Sequence, residues 1–265
     1  MLDLASWLPQ AEVLALGQRR RVNHDCGGGR TLLVEHKENG FAAWCHRCSQ
    51  PGWHPHPQPS LAERIARLRA VREAEKSAEA SSAPPTPTEF NPSLWPLEAR
   101  VWLYKAGFNN DDIQRHGFYF AGRIQRVVLP VLRDWRVIYW QARGFDADRP
   151  KYLNPPVDKP IAYFGDSGPL VLTEDILSAA RVGAVARGAA ILGTSLGDPA
   201  IAEVVREAGG QPVRIWLDPD SAGRKGTAKA RKALSLAGLS VSNIRSELDP
   251  KFYTRSEIEE FILSV

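Results

Sequence analysis

The sequence predicts an α/β protein in which a small N-terminal β module precedes a mostly parallel sheet covered by helices. Three observations support this fold class. Strand and helix signals alternate from Leu170 onward, the pattern of parallel strands connected by helices. Residues 1–58 contain all three cysteines and five of the six histidines. A proline-rich segment at 81–88 separates these two regions, as a linker would.

Length and composition restrict the class of protein. A chain of 265 residues suggests about two domains. Apolar residues make up 43% and charged residues 24%, which predicts a soluble protein with a core. No run of ~18 apolar residues predicts a transmembrane helix. The arginines at 19–21 follow the apolar N-terminal stretch, the reverse of a secretory signal. Three cysteines are too few for a disulfide scaffold, so we expect a cytoplasmic protein without membrane contact.

The N-terminal segment carries an H-x-C pair and a C-x-x-C pair, separated by two turn signals and two strand-like runs. A hairpin with a ligand pair at each end is the arrangement of a zinc ribbon. A bound Zn²⁺ would stabilise a segment too short to have a large core. Unrelated buried thiols are the alternative. The predicted zinc ligands are His24, Cys26, Cys45 and Cys48, and rival ligands are His46, His54 and His56.

The middle of the chain combines a helix, the proline-rich segment and a basic hairpin. Ser60 and Glu63 form a capping-box pattern, which predicts a helix to about Ala80. Strands are predicted at 127–132 and 137–142. Six arginines and one acid lie between positions 115 and 143. Such a stripe favours binding of a polyanion, although a solvated face is an equally reasonable interpretation.

The C-terminal part predicts four strands and four helices. We expect strands at 170–174, 190–193, 213–218 and 239–244, and helices at 176–187, 199–208, 222–237 and about 254–263. Glu174 ends the first of these strands and Asp218 ends the third, with Asp220 two residues later. Ligands of open parallel sheets gather at the carboxyl ends of strands. Three converging carboxylates favour Mg²⁺ or Mn²⁺, whereas a single acid would more simply cap a helix. No Walker A motif is present.

These acids resemble those of the TOPRIM domain, which bacterial-type primases, topoisomerases and some nucleases share. The family carries a glutamate after its first strand and a D-x-D after a later one, which correspond to Glu174 and to Asp218 with Asp220. Residues 128–134 with 151–154 resemble the basic subdomain of DnaG-like primases. The order zinc ribbon, basic subdomain, TOPRIM is similar to the primase half of phage T7-type primase-helicases. The zinc ribbon in particular suggests a stand-alone phage primase without a helicase domain.

The resemblance implies a fold, a domain division and an activity. The expected domains are a zinc ribbon for template recognition at 1–58, a helix and linker at 59–92, a mixed α+β basic subdomain of the primase core at 93–167 and a TOPRIM domain at 168–265. The expected activity is synthesis of short RNA primers from NTPs on a single-stranded DNA template. Zn²⁺ would be structural and Mg²⁺ or Mn²⁺ catalytic. A separate replicative helicase and a DNA polymerase are the expected partners, in the host cytoplasm if a phage encodes the chain.

Residue roles follow from the same resemblance. Glu174, Asp218 and Asp220 would be catalytic metal ligands, with Asp249 as an auxiliary ligand. Nucleotide phosphates would be bound by Arg126, Arg143 and Lys151, for which surface ion pairs are the alternative. Template bases would contact Trp44, His46, Arg47 and Trp53. Packing beneath the ribbon is the alternative for Trp44.

The sequence departs from the family pattern at three positions. Asp175 replaces the glycine that usually follows the glutamate, Ser178 replaces an acid found in many primases, and Lys251 replaces the last acid of a late Asp-Pro-Asp. The number of bound metal ions is therefore open. Two other classes remain possible: a non-catalytic recombination mediator of the RecR kind, which also pairs a zinc module with TOPRIM, and a TOPRIM nuclease.

Overall fold

The computed structural model describes residues 1–57 and 60–264. Contacts divide the chain into two compact units, Met1–Leu68 and Arg69–Val265. Within the described residues, no helix combines the length and apolarity that crossing a bilayer requires.

The first unit is a helix packed on a four-stranded antiparallel sheet. Helix α1 is Leu4–Glu12, and the strands follow one another in the sheet in chain order. Trp7 fills the space between helix and sheet, where a Cβ on Gly52 would lie 2.7 Å from its ring. This close approach explains a glycine in the last strand. The strands are β1 (Arg19–His24), β2 (Gly27–Lys37), β3 (Gly40–Cys45) and β4 (Pro51–Pro55).

Helix α2, Leu61–Glu79, begins at the predicted capping box. The Ser60 amide donates to Glu63 Oε2 at 2.7 Å, and the Glu63 amide donates to Ser60 Oγ at 3.2 Å. The contact division at Leu68 falls inside this helix. Part of the proline-rich segment that follows is held against the second unit, because the Tyr119 hydroxyl donates to the Pro85 carbonyl at 2.9 Å.

The first half of the second unit is a five-stranded antiparallel sheet with two short helices. The hairpin predicted from the basic stripe forms its centre, and Asp134 and Trp135 at its tip both have positive φ. The helices are α3 (Leu97–Lys105) and α4 (Asn110–Arg115). The strands, in sheet order, are β5 (Thr88–Glu89), β6 (Tyr119–Ala121), β7 (Arg126–Arg133), β8 (Arg136–Arg143) and β9 (Tyr152–Leu153).

The second half is the predicted sheet with parallel strands, which confirms the fold class. Its strand order is β10-β12-β11-β13-β14, and only β10 runs antiparallel to its neighbour. The strands are β10 (Ala162–Phe164), β11 (Leu170–Thr173), β12 (Arg187–Ala190), β13 (Val213–Ile215) and β14 (Val241–Asn243). The helices are α5 (Ile176–Val182), α6 (Asp198–Ala208), α7 (Ser221–Leu236) and α8 (Arg255–Leu263).

Two neighbouring predicted boundaries in this half were wrong. Helix α5 ends at Val182 rather than at 187, and the next strand starts at Arg187 rather than at 190. Gly183 ends the helix and packs so closely on Phe164 that an added Cβ would lie 2.6 Å from the phenylalanine Cβ. A run of small apolar residues left this turn without a clear signal in the sequence.

The two sheets of the second unit share one hydrophobic cluster. Phe118 and Leu129 from the antiparallel half pack with Ile176 and Ala190 from the parallel half. This shared core packs the antiparallel sheet against the parallel sheet within the second unit.

Candidate metal centres and nucleotide site

The four predicted zinc ligands lie together at one end of the first sheet. Their ligand atoms all lie within 4.8 Å of one another. The Sγ atoms of Cys26 and Cys45 are 3.5 Å apart, and His24 Nδ1 lies 3.0 Å from Cys26 Sγ and 3.8 Å from Cys48 Sγ. A tetrahedral ion with Zn–S bonds of about 2.3 Å separates its sulfur ligands by roughly 3.8 Å. The cluster therefore has the composition and size of a structural zinc site.

Local structure favours the thiolate at Cys45, whereas burial and the neighbouring thiols raise the pKa of Cys26 to about 11. The backbone amide of Cys48 donates to Cys45 Sγ, and the Arg47 amide does the same. These hydrogen bonds lower the pKa of Cys45 to about 5. A thiolate is the form that binds zinc. The rival His56 lies at the Gly40 end of β3, where its Nε2 is 3.2 Å from His36 Nε2, and His54 pairs with Phe41 near that same end.

Two predicted template-binding residues lie on the open face of this sheet. Trp44 is 42% exposed and Trp53 is 40% exposed. Strand pairing sets Trp44 opposite Leu33 and Trp53 opposite Ala42, so both rings point away from the face that α1 covers. Arg21 pairs with Leu33 and shares this face. The packing alternative for Trp44 therefore does not describe its position.

The other two predicted template residues lie near the zinc ligands. His46 is exposed, and its amide donates to the Thr31 carbonyl at 2.9 Å. The Arg47 guanidinium covers Gly27, at which an added Cβ would lie 2.0 Å from Arg47 Nη1. Gly27 has a φ of +145°, so a side chain there would be disfavoured twice.

The second site is acidic and lies at the carboxyl ends of β11 and β13. These strands are parallel neighbours, and the Trp216 amide donates to the Leu172 carbonyl at 2.8 Å. Glu174 and Asp218 each follow two residues later, which places both acids at one edge of the sheet. Asp220 begins α7, where its side chain accepts from the Gly223 amide at 2.7 Å.

Glu174 and Asp218 each hold a buried carboxylate oxygen, Oε2 and Oδ1, that accepts no hydrogen bond from the described residues. Burial, and then the charge of Asp220, raises the pKa of Glu174. Burial is also the main cause that raises the pKa of Asp218 to about 7, although Lys251 opposes it. Buried acceptors without donors are costly and are expected where a cation binds. The donor set therefore fits a hard divalent ion.

A second group of acids shares Asp218 with the predicted ligands but does not include Glu174 or Asp220. Carboxylate oxygens of Asp175, Asp218 and Asp249 lie within 4.8 Å of one another. Asp249 was predicted as an auxiliary ligand, whereas Asp175 was noted only as a departure from the family pattern. Asp175 is also the N-cap of α5 and accepts from the Ser178 amide at 2.9 Å. Nothing in the linear sequence shows that Asp175 belongs to the acidic group in addition to capping a helix.

Two of the predicted nucleotide-binding cations lie beside Tyr152. Arg143 sits between aromatic rings, 5.9 Å from the centroid of Trp102 and 5.4 Å from that of Tyr152. Lys151 Nζ lies 5.8 Å from the Tyr152 ring. Burial, and then the charge of Asp175, raises the pKa of Tyr152. The ring of Tyr152 therefore lies near both cations, and its hydroxyl is influenced by the charges of Asp175 and Asp218.

Arg126, the third predicted nucleotide-binding residue, has a different role, and this prediction is corrected. Its side chain is fully buried. Its Nε donates to Glu75 Oε1 at 2.8 Å and its Nη1 to the Ala142 carbonyl at 3.2 Å. An arginine enclosed in this way ties α2 to the antiparallel sheet and has no surface to offer a nucleotide.

A basic groove extends from Asp218 along α7. It has a volume of about 810 Å³. Lys232, Arg231 and Arg245 in its wall are exposed and form no ion pair among the described residues. Groups of unpaired cations around a concave surface favour phosphate binding.

The comparisons with known proteins bear on the fold. No protein-family model matches the sequence, and neither does any curated protein sequence. Among solved structures, a DnaG catalytic core aligns with a TM-score of 0.52 and 19% identity over 75% of this chain and 78% of that chain. The primase fragment of the bacteriophage T7 primase-helicase aligns with a TM-score of 0.51 and 14% identity over 92% and 96%.

A third alignment, with the zinc-binding and RNA polymerase domains of the Aquifex aeolicus primase, has a TM-score of 0.47 and 20% identity over 99% and 83%. Together, the first two alignments define the class: the chain has the fold of DnaG and T7-type primase cores. This confirms the fold resemblance inferred from the sequence.

Proposed function

We propose that this chain is a DNA primase that synthesises short RNA primers from NTPs on a single-stranded DNA template. The observation that carries the proposal is the site itself. Buried, unpaired oxygens of Glu174 and Asp218 lie at the edge of a parallel sheet, and Arg143 contacts the ring of Tyr152, on which the charges of Asp175 and Asp218 act. The primase-core fold supports the same activity. The domain division proposed with it is 1–58, 59–92, 93–167 and 168–265.

The proposed reaction is nucleotidyl transfer. A nucleotide 3′-hydroxyl attacks the α-phosphorus of an NTP, a P–O bond forms, and the bond to the leaving pyrophosphate breaks. Glu174, Asp218 and Asp220 would hold Mg²⁺ or Mn²⁺ with Asp249 nearby. When bound, such an ion supplies charge neutralisation for the triphosphate and lowers the pKa of the attacking hydroxyl. The carboxylates orient that ion because their strands and helix ends are fixed.

The fixed cations have a separate role. Arg143 and Lys151 would bind the triphosphate and offset charge that develops on its oxygens. The aromatic rings around Arg143 restrict its guanidinium, so little conformational entropy is lost when it binds a phosphate. The groove along α7 would bind backbone phosphates of the template or of the template–primer duplex.

Template recognition is proposed for the first unit. Trp44 and Trp53 would stack on unpaired bases, and Arg21 would contact phosphates on the same face of the sheet. His46 and Arg47 would contact base edges beside the zinc ligands. A replicative helicase and a DNA polymerase are the proposed partners. A phage origin remains part of this proposal.

The test is a primer-synthesis assay on the zinc-loaded full chain. The mixture contains single-stranded DNA, Mg²⁺ or Mn²⁺ and labelled NTPs, and oligoribonucleotides are resolved by length. We expect products from the wild type and from Asp166→Ala, an exposed acid of the same unit. We expect none from Asp218→Ala, because its buried oxygen is a proposed metal ligand. Wild-type product yield from Asp218→Ala would refute the site assignment.

Other outcomes identify the alternative classes. Loss of the DNA template without RNA synthesis would indicate a TOPRIM nuclease. DNA binding without NTP consumption, on templates of varied sequence and with either metal ion, would indicate a mediator of the RecR kind. All variants must have the same zinc content, measured by metal analysis, and the same folding, measured by circular dichroism.

A further inference from the structure

A lysine occupies part of the acidic site. Lys251 Nζ lies 2.8 Å from Asp175 Oδ2 and 2.6 Å from Asp249 Oδ2. Its side chain is only 15% exposed. Asp175 and Asp249 form a three-carboxylate group with Asp218, and the ligand atoms of this group all lie within 4.8 Å of one another. An ammonium group is thus located where oxygen ligands of this kind otherwise bind a divalent ion.

Among the described residues, the hydrogen bonds of Lys251 go to Asp175 and Asp249 and not to Glu174 or Asp218, although the charge of Lys251 also acts on Asp218 and opposes the rise of its pKa. Glu174 Oε2 and Asp218 Oδ1 are buried and accept no hydrogen bond within the described residues. The acidic site therefore has two halves. Lys251 already satisfies the oxygens of Asp175 and Asp249, and the half formed by Glu174 and Asp218 is open to a cation.

Local structure fixes the ammonium group in this position. Lys251 belongs to a short 3-10 turn, Pro250–Phe252, which Asp249 precedes as N-cap. The backbone of this turn is held because the Arg181 guanidinium donates to the Tyr253 carbonyl at 2.8 Å. The lysine also lies 5.2 Å from the Phe252 ring. Because two carboxylates and a fixed turn hold the ammonium group, no conformational entropy is lost to position it when a substrate binds.

The acceptor Asp175 is equally constrained. Its Oδ1 accepts from the Ser178 amide at 2.9 Å, and its Oδ2 is 3.2 Å from the Ser178 hydroxyl as well as 2.8 Å from Lys251 Nζ. With these donors in place, Asp175 has little capacity left for a metal ion.

We propose that Lys251 is a built-in cation that replaces one divalent ion, so that the acidic site binds a single divalent ion at Glu174 and Asp218. A second ion near Asp175 and Asp249 would have to displace the ammonium group or bear its repulsion at short range. Lys251 would also offset the negative charge of a bound triphosphate. That role rests on the proposed function, whereas the number of bound divalent ions does not.

The test counts Mn²⁺ bound to the zinc-loaded full chain, by electron paramagnetic resonance of free Mn²⁺ during titration, without DNA or NTPs. The wild type should bind one Mn²⁺, with a second bound ~10–100-fold more weakly. Lys251→Asp should bind two with similar affinity. Lys105→Asp, an exposed lysine of α3, is the matched control and should behave as the wild type.

A second variant guards against misfolding of Lys251→Asp. Lys251→Met removes the ammonium group and nearly keeps the length of the side chain. The Tm of this variant without divalent ions should therefore be lower than that of the wild type, and Mn²⁺ should raise it by more. The proposal is overturned if the wild type binds two Mn²⁺ with equal affinity, or if Lys251→Met changes neither the count nor the response of Tm. Failure of primer synthesis would leave these measurements unaffected, so the two proposals fail separately.

Discussion

The buried ion pair of Glu75 and Arg126 gives a quantitative test of how α2 is held. Glu75 Oε1 accepts from Arg126 Nε at 2.8 Å and from Arg149 Nη1 at 3.0 Å. Glu75 is 6% exposed and Arg126 is fully buried. Burial lowers the pKa of Arg126, and the hydrogen bond and charge of Glu75 raise it again. Glu75→Ala would leave the Arg126 guanidinium in the interior without a counter-charge.

Breaking a buried pair by removal of one partner costs about 3–5 kcal/mol of unfolding free energy. For a unit of this size, that corresponds to a decrease in Tm of roughly 6–20 °C. The assay is thermal and urea-induced unfolding of the zinc-loaded chain. Replacing both partners, Glu75→Leu with Arg126→Met, should recover most of the loss, because the fully buried charge of Arg126 is removed and Arg149 keeps Asp146 at 3.2 Å as its counter-charge.

The control is the exposed pair Arg115 and Asp112, with an N···O distance of 2.9 Å. Arg115→Ala should change stability by less than about 1 kcal/mol, since exposed pairs contribute little. The reasoning would be refuted if Glu75→Ala were as stable as this control. It would also be refuted if the Glu75→Leu, Arg126→Met protein were stable but could no longer bind NTPs, which would return Arg126 to the nucleotide site.

Two further predictions concern the first unit. Cys48→Ser should reduce the zinc content from about one per chain to nearly none and unfold this unit, because the ion supplies much of its folding energy; metal analysis and circular dichroism measure both effects, and a folded, metal-free protein would contradict the zinc site. His54→Ala should keep its zinc. Trp44→Ala should weaken binding of single-stranded DNA by about 1–3 kcal/mol in a fluorescence-anisotropy titration. Trp135→Ala, which removes a 98% exposed ring from the second unit, is the matched control, and equal losses from both would contradict base stacking at Trp44.

The sequence predicts the parallel sheet well for a physical reason. Strands such as β11, whose four residues are all buried, are short apolar runs, and helices α5, α7 and α8 begin at the side-chain caps Asp175, Asp220 and Thr254. Thr254 illustrates this, because its hydroxyl accepts a hydrogen bond from the Glu257 amide and its own amide donates one to the Glu257 carboxylate. The acids at the strand ends follow from the topology of such a sheet.

Contacts between distant residues are what the sequence does not reveal. Arg126 belongs to the basic stripe, and only folding brings Glu75, 51 residues earlier, against its guanidinium. Lys251 and Asp175 are 76 residues apart. The segment at 81–88 shows the same limit, because its composition predicts an extended chain but does not predict that Trp140 donates to the Ser82 carbonyl at 3.3 Å.

The three departures from the family pattern have a common electrostatic meaning. Relative to that pattern, Asp175 in place of glycine adds one negative charge, Ser178 in place of an acid removes one, and Lys251 in place of an acid changes the charge by two. The net change is two positive charges, which equals the charge of one divalent ion. A site that binds one ion fewer and carries these residues would therefore present the same total charge to a triphosphate. Asp175 is needed in this arrangement because it holds the ammonium group of Lys251, at 2.8 Å, inside the site. Asp175 and Lys251 therefore act as a pair, and Lys251→Asp alone would leave Asp175 as an extra acid whose charge a second metal ion would balance.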